Sequence, residues 1–410
     1  MQPALSLRKA ISIMLEHANP IHRVHYTHLF DLTGKILAQD LFCQKALPAF
    51  DNSGMDGYAV RLADLGQKTP ILGTILAGES CSVGLHDGAC YKVMTGAPIP
   101  LGTQAVIPFE NATLKDDSTV LLPTDFKEGA NIKIAGEELQ VGAPLLQKGE
   151  RLTHHHVALL ASQGYSVLPT YAPLRIGVYS SGNELIEPWE SAQSHQIYNS
   201  NASMLFSTLQ NFGWRADYLG VLPDCLEGMR EAIRGFDAYD VILTTGGVSQ
   251  GEADFMERSL EEAGMTTLFH GIEVKPGRPT MMGILGKTTL LCLPGNPLSA
   301  SINLHFLGIP MLKKMQGERR YHLEFVYAPN KERLILKGNR ANMVLGRLHE
   351  GCFKATQEGK YGSGMLTPLT TSNAIIFCDK GVENLEEGAL IKVIPYMTSF
   401  GEEAVDFFNI

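Results

Sequence analysis

Asp240-Val241-Ile242-Leu243-Thr244-Thr245-Gly246-Gly247-Val248-Ser249-Gln250-Gly251-Glu252-Ala253-Asp254 opens as an apolar run and turns abruptly to glycine and acid. Residues 240 to 245 read as a strand and the rest as a loop entering a helix. Glycines there permit close backbone approach, and the helix start offers free amide groups to an anion. The same rhythm extends in both directions from Leu174. Strands are expected at 174–179, 215–221, 240–245, 268–274, 280–284 and 288–293, and helices at 201–211, 225–235, 253–263 and 298–315. Strands separated by helix-length segments imply crossovers and a mainly parallel sheet, whose ligands bind at the carboxyl ends of the strands.

Two more strand ends should reach the same rim. Ser180-Ser181-Gly182-Asn183-Glu184-Leu185 follows the strand ending at Tyr179, and Leu293-Pro294-Gly295-Asn296-Pro297-Leu298-Ser299-Ala300 makes a rigid turn into a helix. Pro297 suits a first helical position, where its missing N–H costs nothing. Lys275-Pro276-Gly277-Arg278-Pro279 is a stiff basic loop fitted to a phosphate or oxyanion, with a solvated surface turn as the competing reading. Glu184 and Asp254 supply hard oxygens that suit Mg²⁺ beside phosphates, or else cap helices.

Other patterns compete. Gly247-Val248-Ser249-Gln250-Gly251 matches a hydrolase nucleophile elbow, which would make Ser249 a nucleophile, but Gly246 and the acidic turn fit a ligand cradle better. Gly286-Lys287-Thr288-Thr289 resembles the end of a Walker loop, yet Met281 stands where that loop needs glycine, and the segment bridges two strands. No G-x-G-x-x-G fingerprint occurs. His154-His155-His156 reads as a helix start with one buried member, since adjacent residues on a helix point apart.

Outside the α/β part, residues 47–140 hold short apolar runs cut by Gly, Pro and Asp turns, the look of a β-rich domain. Two dense loops lie within it, at 51–59 and 94–100. Helical spacing at Leu7, Ala10, Ile11, Met14 and Leu15 resembles that around His156 to Leu160, so the two helices are expected to pack together. The expected domains are 1–46 with 141–172 as a discontinuous α-rich linker, 47–140 as an inserted β-rich domain, 173–320 as the α/β domain and 325–403 as a small β-barrel-like domain. The 410 residues are 44% hydrophobic with 41 Gly and 21 Pro, which excludes disorder and coiled coil. A net charge of −9 gives no global field for nucleic acid or an anionic membrane. Seven cysteines without a C-x-x-C pair indicate neither a disulfide framework nor a zinc knot. No apolar run reaches membrane-spanning length, so a cytoplasmic protein is expected.

Six segments in order carry a family resemblance: D-N-S-G-M-D-G-Y-A-V at 51–60, M-T-G-A-P-I-P at 94–100, S-G-N-E-L at 181–185, T-G-G-V-S-Q-G-E-A-D-F at 245–255, K-P-G-R-P at 275–279 and L-P-G-N-P-L-S-A at 293–300. The chain resembles the molybdopterin molybdenumtransferases, a family related to the C-terminal part of gephyrin. The resemblance implies that adenylylated molybdopterin and molybdate are substrates, that AMP and molybdenum cofactor are products, and that Mg²⁺ is required. It further implies a homodimer whose cleft is shared between subunits, a molybdopterin adenylyltransferase upstream and molybdoenzymes as acceptors. Matched residue by residue, it assigns catalytic roles to Asp56, Thr95, Glu184, Asp254, Lys275 and Arg278. Ligand contacts fall to Asp224, Gly246, Gly247, Ser249, Gly251, Pro294, Gly295, Asn296, Pro297 and Ser363, and metal contacts to Glu184, Asp254 and Glu138.

Departures from the family pattern change the groups of the cleft, most of them by removing charge. A single Lys133 replaces a basic cluster, Glu138 replaces an aspartate, and Asn183 and Asn199 stand where acids are usual. They are expected to weaken metal or molybdate affinity. A catalytically weakened paralogue or molybdopterin-binding scaffold is the alternative to an active insertase, beside the Ser249 hydrolase.

Overall fold

In the computed structural model, which describes residues 4–223, 225–248 and 255–397, the run after Asp240 forms the strand Val241–Thr245 in the middle of a six-stranded sheet. The order across the sheet is Ala216–Leu222, Ile176–Ser181, Val241–Thr245, Thr288–Leu293, Met281–Leu285, Thr266–His270. The first four are mutually parallel, and Met281–Leu285 runs antiparallel to both its neighbours. Apolar residues run continuously because both faces are covered. Val241, Leu243, Leu291 and Leu293 enter one core with the helices Ser200–Asn211 and Ile309–Met315. Ile242, Leu290 and Cys292 enter the other with Leu226–Arg234 and Phe255–Glu262. From Ile176–Ser181 the chain crosses to one neighbour, Ala216–Leu222, and later returns to the other, Val241–Thr245. The carboxyl ends of Ile176–Ser181 and Val241–Thr245 therefore flank a topological switch point, where such sheets bind ligands.

Three expectations change in detail. The strand expected at 268–274 is two strands. Thr266–His270 stays in this sheet, whereas Gly271, at a φ of 99°, turns the chain so that Val274–Lys275 joins another. The helix expected at 298–315 is Pro297–Asn303, a π turn at Leu304–Gly308, and Ile309–Met315. Pro310 cannot donate to the carbonyl four residues back, which favours a widened turn there. The helix Leu7–His17 packs on the α/β core, through Leu7, Ala10, Met14 and Leu15, and not on His154–Ser162. Leu5 guides it there, pairing its N–H with Gly271 O (3.0 Å) and its carbonyl with Glu273 N (2.7 Å).

Beyond that helix, strands join the two chain segments flanking the inserted region. Val24–His28 pairs with Val167–Tyr171, and Leu41–Phe42 with Pro144–Leu146, over a core of Leu32, Leu37, Leu152, Leu160 and Leu168. Asp240, 4% exposed, clamps this unit to the sheet by accepting from Arg23 (2.8 Å) and Arg175 (2.9 Å). Glu318 makes a second clamp with Arg151 and Lys313, each at 2.8 Å. His156 closes a capping box with Thr153 at the start of His154–Ser162.

Residues between these segments form a six-stranded sheet with its own cores around Tyr58 and Ile107 on one side and Val93 and Val106 on the other. The C-terminal sheet is ordered Val274–Lys275, Ala341–His349, Ala374–Cys378, Leu390–Pro395, Val326–Pro329, with Cys352–Ala355 paired to Ala341–His349. Its Met343, Leu345 and Ile375 enter the α/β core. Among the described residues, no helix is long and apolar enough to cross a membrane.

Candidate functional site

Three loops meet at the switch point, and two positions there tolerate only glycine. A Cβ on Gly246 (φ 88°) would lie 2.3 Å from Ser181 O, and one on Gly247 (φ 67°) 2.8 Å from Ser181 Oγ. Gly295 closes the third side, with its own Cβ position 3.4 Å from Gly246 Cα. Asn201 Nδ2 ties the loops together, donating to Thr245 Oγ1 (2.8 Å) and Gly295 O (2.7 Å), while Thr245 Oγ1 donates to Pro294 O at 3.1 Å. Asn201 carries no signal in the sequence, where it reads as an ordinary residue of the helix expected at 201–211, and Thr245 stands out only as the first residue of the 245–255 segment. His270 supports the loop from below, with Nδ1 2.7 Å from Glu257 Oε1 and Nε2 3.4 Å from Val248 O.

Asn199 has a role its amide performs better than an acid would. Buried to 1% exposure, its Oδ1 accepts from Ser180 Oγ (2.9 Å) and Ala202 N (3.2 Å), and its Nδ2 donates to Tyr218 OH at 2.8 Å. A carboxylate could only accept. Tyr218 in turn donates to Glu187, and burial first, then that carboxylate, push its phenol above the ordinary range.

Beside the cradle lies a cavity of about 770 Å³, walled by the α/β part on one side and the C-terminal sheet on the other. Lys275, Arg278, Lys337, Arg340 and Lys360 line it, and no aspartate or glutamate does among the described residues. Lys360 pairs with Glu358, whereas the other four make no ion pair among the described residues. Unneutralised cations converging on one space recruit an anion. Pro294, Asn296 and Ser363 also line the cavity, and Ser363 O accepts from Leu298 N at 3.1 Å. Pro294 to Asn296 thus forms the wall between cradle and cavity. Pro297 stands at the start of its helix, as expected. Lys337, Arg340 and Lys360 gave no signal in the sequence, where they sit in ordinary turns.

Asp56 and Thr95 are brought together, but not to this cavity. Thr95 donates to Asp56 Oδ1 from both N (2.7 Å) and Oγ1 (2.8 Å). The backbone bond first, and the hydroxyl second, hold that exposed carboxyl below the usual range. Neither residue is among those lining the cavity. Glu138 is exposed at the base of the same region, its N–H donating to Leu47 O at 2.9 Å. Glu184 is exposed over Gly182, where a Cβ would lie 2.6 Å from its Oε2. Asp224, Ser249, Gly251 and Asp254 lie outside the described residues. No group of three His, Cys, Asp or Glu gathers as a metal cage among the described residues. One rim carboxylate fits Mg²⁺, which takes its remaining ligands from phosphates and water.

A switch-point cradle opening beside a basic, acid-free cavity defines a protein built for phosphorylated and oxyanionic ligands. Comparison with known proteins agrees. Models described as MoeA N-terminal region (domain I and II), probable molybdopterin binding domain and MoeA C-terminal region (domain IV) match residues 5–164, 177–314 and 327–396. A molybdopterin molybdenumtransferase of Haemophilus influenzae is 33% identical over 402 residues, covering 96% of this chain and 98% of its own. That of Bacillus subtilis is 30% identical over 388 residues, covering 92% and 90%. The crystal structure of a molybdopterin biosynthesis MoeA protein from Pyrococcus horikoshii superposes with a TM-score of 0.84 at 26% identity, over 96% of this chain and 100% of that one. The chain belongs to the molybdopterin molybdenumtransferase family, and with it to the transferases of molybdenum cofactor biosynthesis.

Proposed function

We propose that this chain inserts molybdenum from molybdate into adenylylated molybdopterin, releasing AMP and molybdenum cofactor. One observation carries the reading: the phosphate-type cradle and the acid-free basic cavity share the Pro294–Asn296 wall, so a phosphorylated ligand and an oxyanion can lie side by side. In this reading the Gly246 and Gly247 backbone approaches the pterin phosphate, with Gly251, Ser249 and Asp224 completing that contact. Lys275 and Arg278 hold molybdate and balance its charge. Water adds across the pyrophosphate bond, so the pterin keeps its phosphate and the adenylate leaves with its own as AMP, while molybdate gives up oxygen as water when the two dithiolene sulfurs bind the metal. Glu184 and Asp254 would hold Mg²⁺, with Glu138 of the partner subunit as a further oxygen ligand, and the ion would supply neutralisation of phosphate charge.

Asp56 and Thr95 form the adenylate-side wall, contributed by the second subunit of a homodimer, which explains their absence from the cavity of their own chain. The substrate comes from a molybdopterin adenylyltransferase, and molybdoenzymes accept the product, in the cytoplasm. The test is AMP release from adenylylated molybdopterin and Mg²⁺, with and without molybdate. Release that requires molybdate and disappears in Glu184→Ala supports the reading; release indifferent to molybdate contradicts it.

A further inference from the structure

The Lys275–Pro279 loop is pinned at both ends by backbone. Val274 and Lys275 pair with Ala341 and Asn342 of the C-terminal sheet. Arg278 O accepts from Ile272 N and Thr280 N, both at 2.9 Å. Its middle is held by side chains. Gly277 O accepts from Asn303 Nδ2 at 2.8 Å and from Thr280 Oγ1 at 2.9 Å, and Asn303 Nδ2 also lies 2.6 Å from Thr280 Oγ1.

Asn303 is fully buried, the last residue of Pro297–Asn303, and stands immediately before the π turn Leu304–Gly308. A carbonyl can only accept, so Gly277 O fixes which end of the carboxamide faces the loop. The other end, Oδ1, has no partner among the described residues. A buried acceptor left unmatched is a cost that an apolar side chain would avoid. The fit is close: Gly277 has a φ of 106°, and a Cβ there would lie 2.4 Å from Asn303 Nδ2. The helix that Asn303 ends begins at the Asn296–Pro297 wall of the cavity. One buried amide therefore links that wall to the loop carrying Lys275 and Arg278.

We propose that Asn303, with Thr280, is a positioning residue for oxyanion binding, fixing Lys275 and Arg278 against the opposite wall through the Gly277 carbonyl. The inference rests on the reading of the cavity as the molybdate site and adds which residues set its geometry. Releasing the middle of the loop while both ends stay pinned relaxes the two cations without unmaking the fold.

The test measures equilibrium binding of molybdate and of adenylylated molybdopterin separately, on the full chain, with molybdate KM and kcat alongside. Asn303→Leu removes the amide at similar volume, and Thr280→Val removes the hydroxyl at nearly constant shape. Each is expected to weaken molybdate binding about tenfold, the ratio one lost hydrogen bond carries, and to raise KM more than it lowers kcat. Adenylylated molybdopterin binding holds, and Thr280→Ser restores molybdate binding. Because Thr280→Val is the milder change, it tests the proposal even if Asn303→Leu does not fold. Unchanged molybdate affinity in folded variants, or equal weakening of both ligands, overturns the positioning role. Wild-type protein that binds adenylylated molybdopterin but not molybdate overturns the cavity assignment, and this inference with it.

Discussion

Two small β regions flank the α/β sheet and are attached in opposite ways. The C-terminal sheet takes a strand, Val274–Lys275, from the α/β part and buries Met343, Leu345 and Ile375 in the α/β core, each worth about 1.5–3 kcal/mol. The inserted region at 47–140 keeps its cores to itself. Its base is closed by Leu47 O, which accepts from Glu138 and Leu139, and its mount is the strand unit clamped through Arg23 and Arg151. The first arrangement makes a fixed cavity from one chain. The second holds Asp56 and Thr95 in their mutual geometry, away from the residues that line that cavity.

Lys275→Ala removes a cation from a cavity that no carboxylate among the described residues lines, and molybdate-dependent AMP release is expected to fall about 100-fold or more. A fall below about threefold would mean that the cavity does not serve the reaction. On the inserted side, Asp240→Asn unmakes the clamp between Arg23 and Arg175. The loss expected from denaturant unfolding is about 2 kcal/mol, below that of a fully buried pair, because the two arginines are 40% and 47% exposed.

The same clamp has a pH signature. Burial works against ionisation of Asp240, but the bonds from Arg23 and Arg175 outweigh it and hold the carboxyl well below its usual range. A depressed folded value means that the stabilisation is complete above the unfolded carboxylate value of about 3.9, and is lost as pH falls through the folded one. Acid unfolding of the wild type should therefore steepen below about pH 4, and Asp240→Asn should flatten it. The smallest effect belongs to Thr95→Val, which keeps the N–H to Asp56 and removes the hydroxyl. NMR titration should show the Asp56 carboxyl moving up towards the ordinary range, with AMP release lowered only a few fold.

Much of this was legible in the sequence, because apolar runs ending in glycine specify strands, and glycines that tolerate no Cβ specify close loops. Gly246 and Gly247 are such positions. Less legible was everything set by tertiary partners. The strand expected at 268–274 breaks at Gly271, whose turn is held by bonds to Leu5 and Thr280, residues far apart in the chain. The first helix shows an apolar stripe, but a stripe does not name the surface it meets. Lys337 and Arg340 join the cavity only because Ala341–His349 pairs with Val274–Lys275. Asn303 was hidden for the same reason: a lone amide in an apolar helix acquires its role from a loop more than twenty residues away.

In the proposed site the oxyanion cavity belongs to one chain and the Asp56–Thr95 wall to another. Co-expressing Asp56→Ala and Lys275→Ala chains under different tags, and purifying the doubly tagged species, tests it most directly. Each variant alone should be nearly inactive. The mixed dimer contains one site with both residues intact, so its AMP release should return to about half the wild-type value per dimer. A mixed dimer as inactive as its parents would contradict the shared site and require Asp56 and Lys275 to act within the same chain.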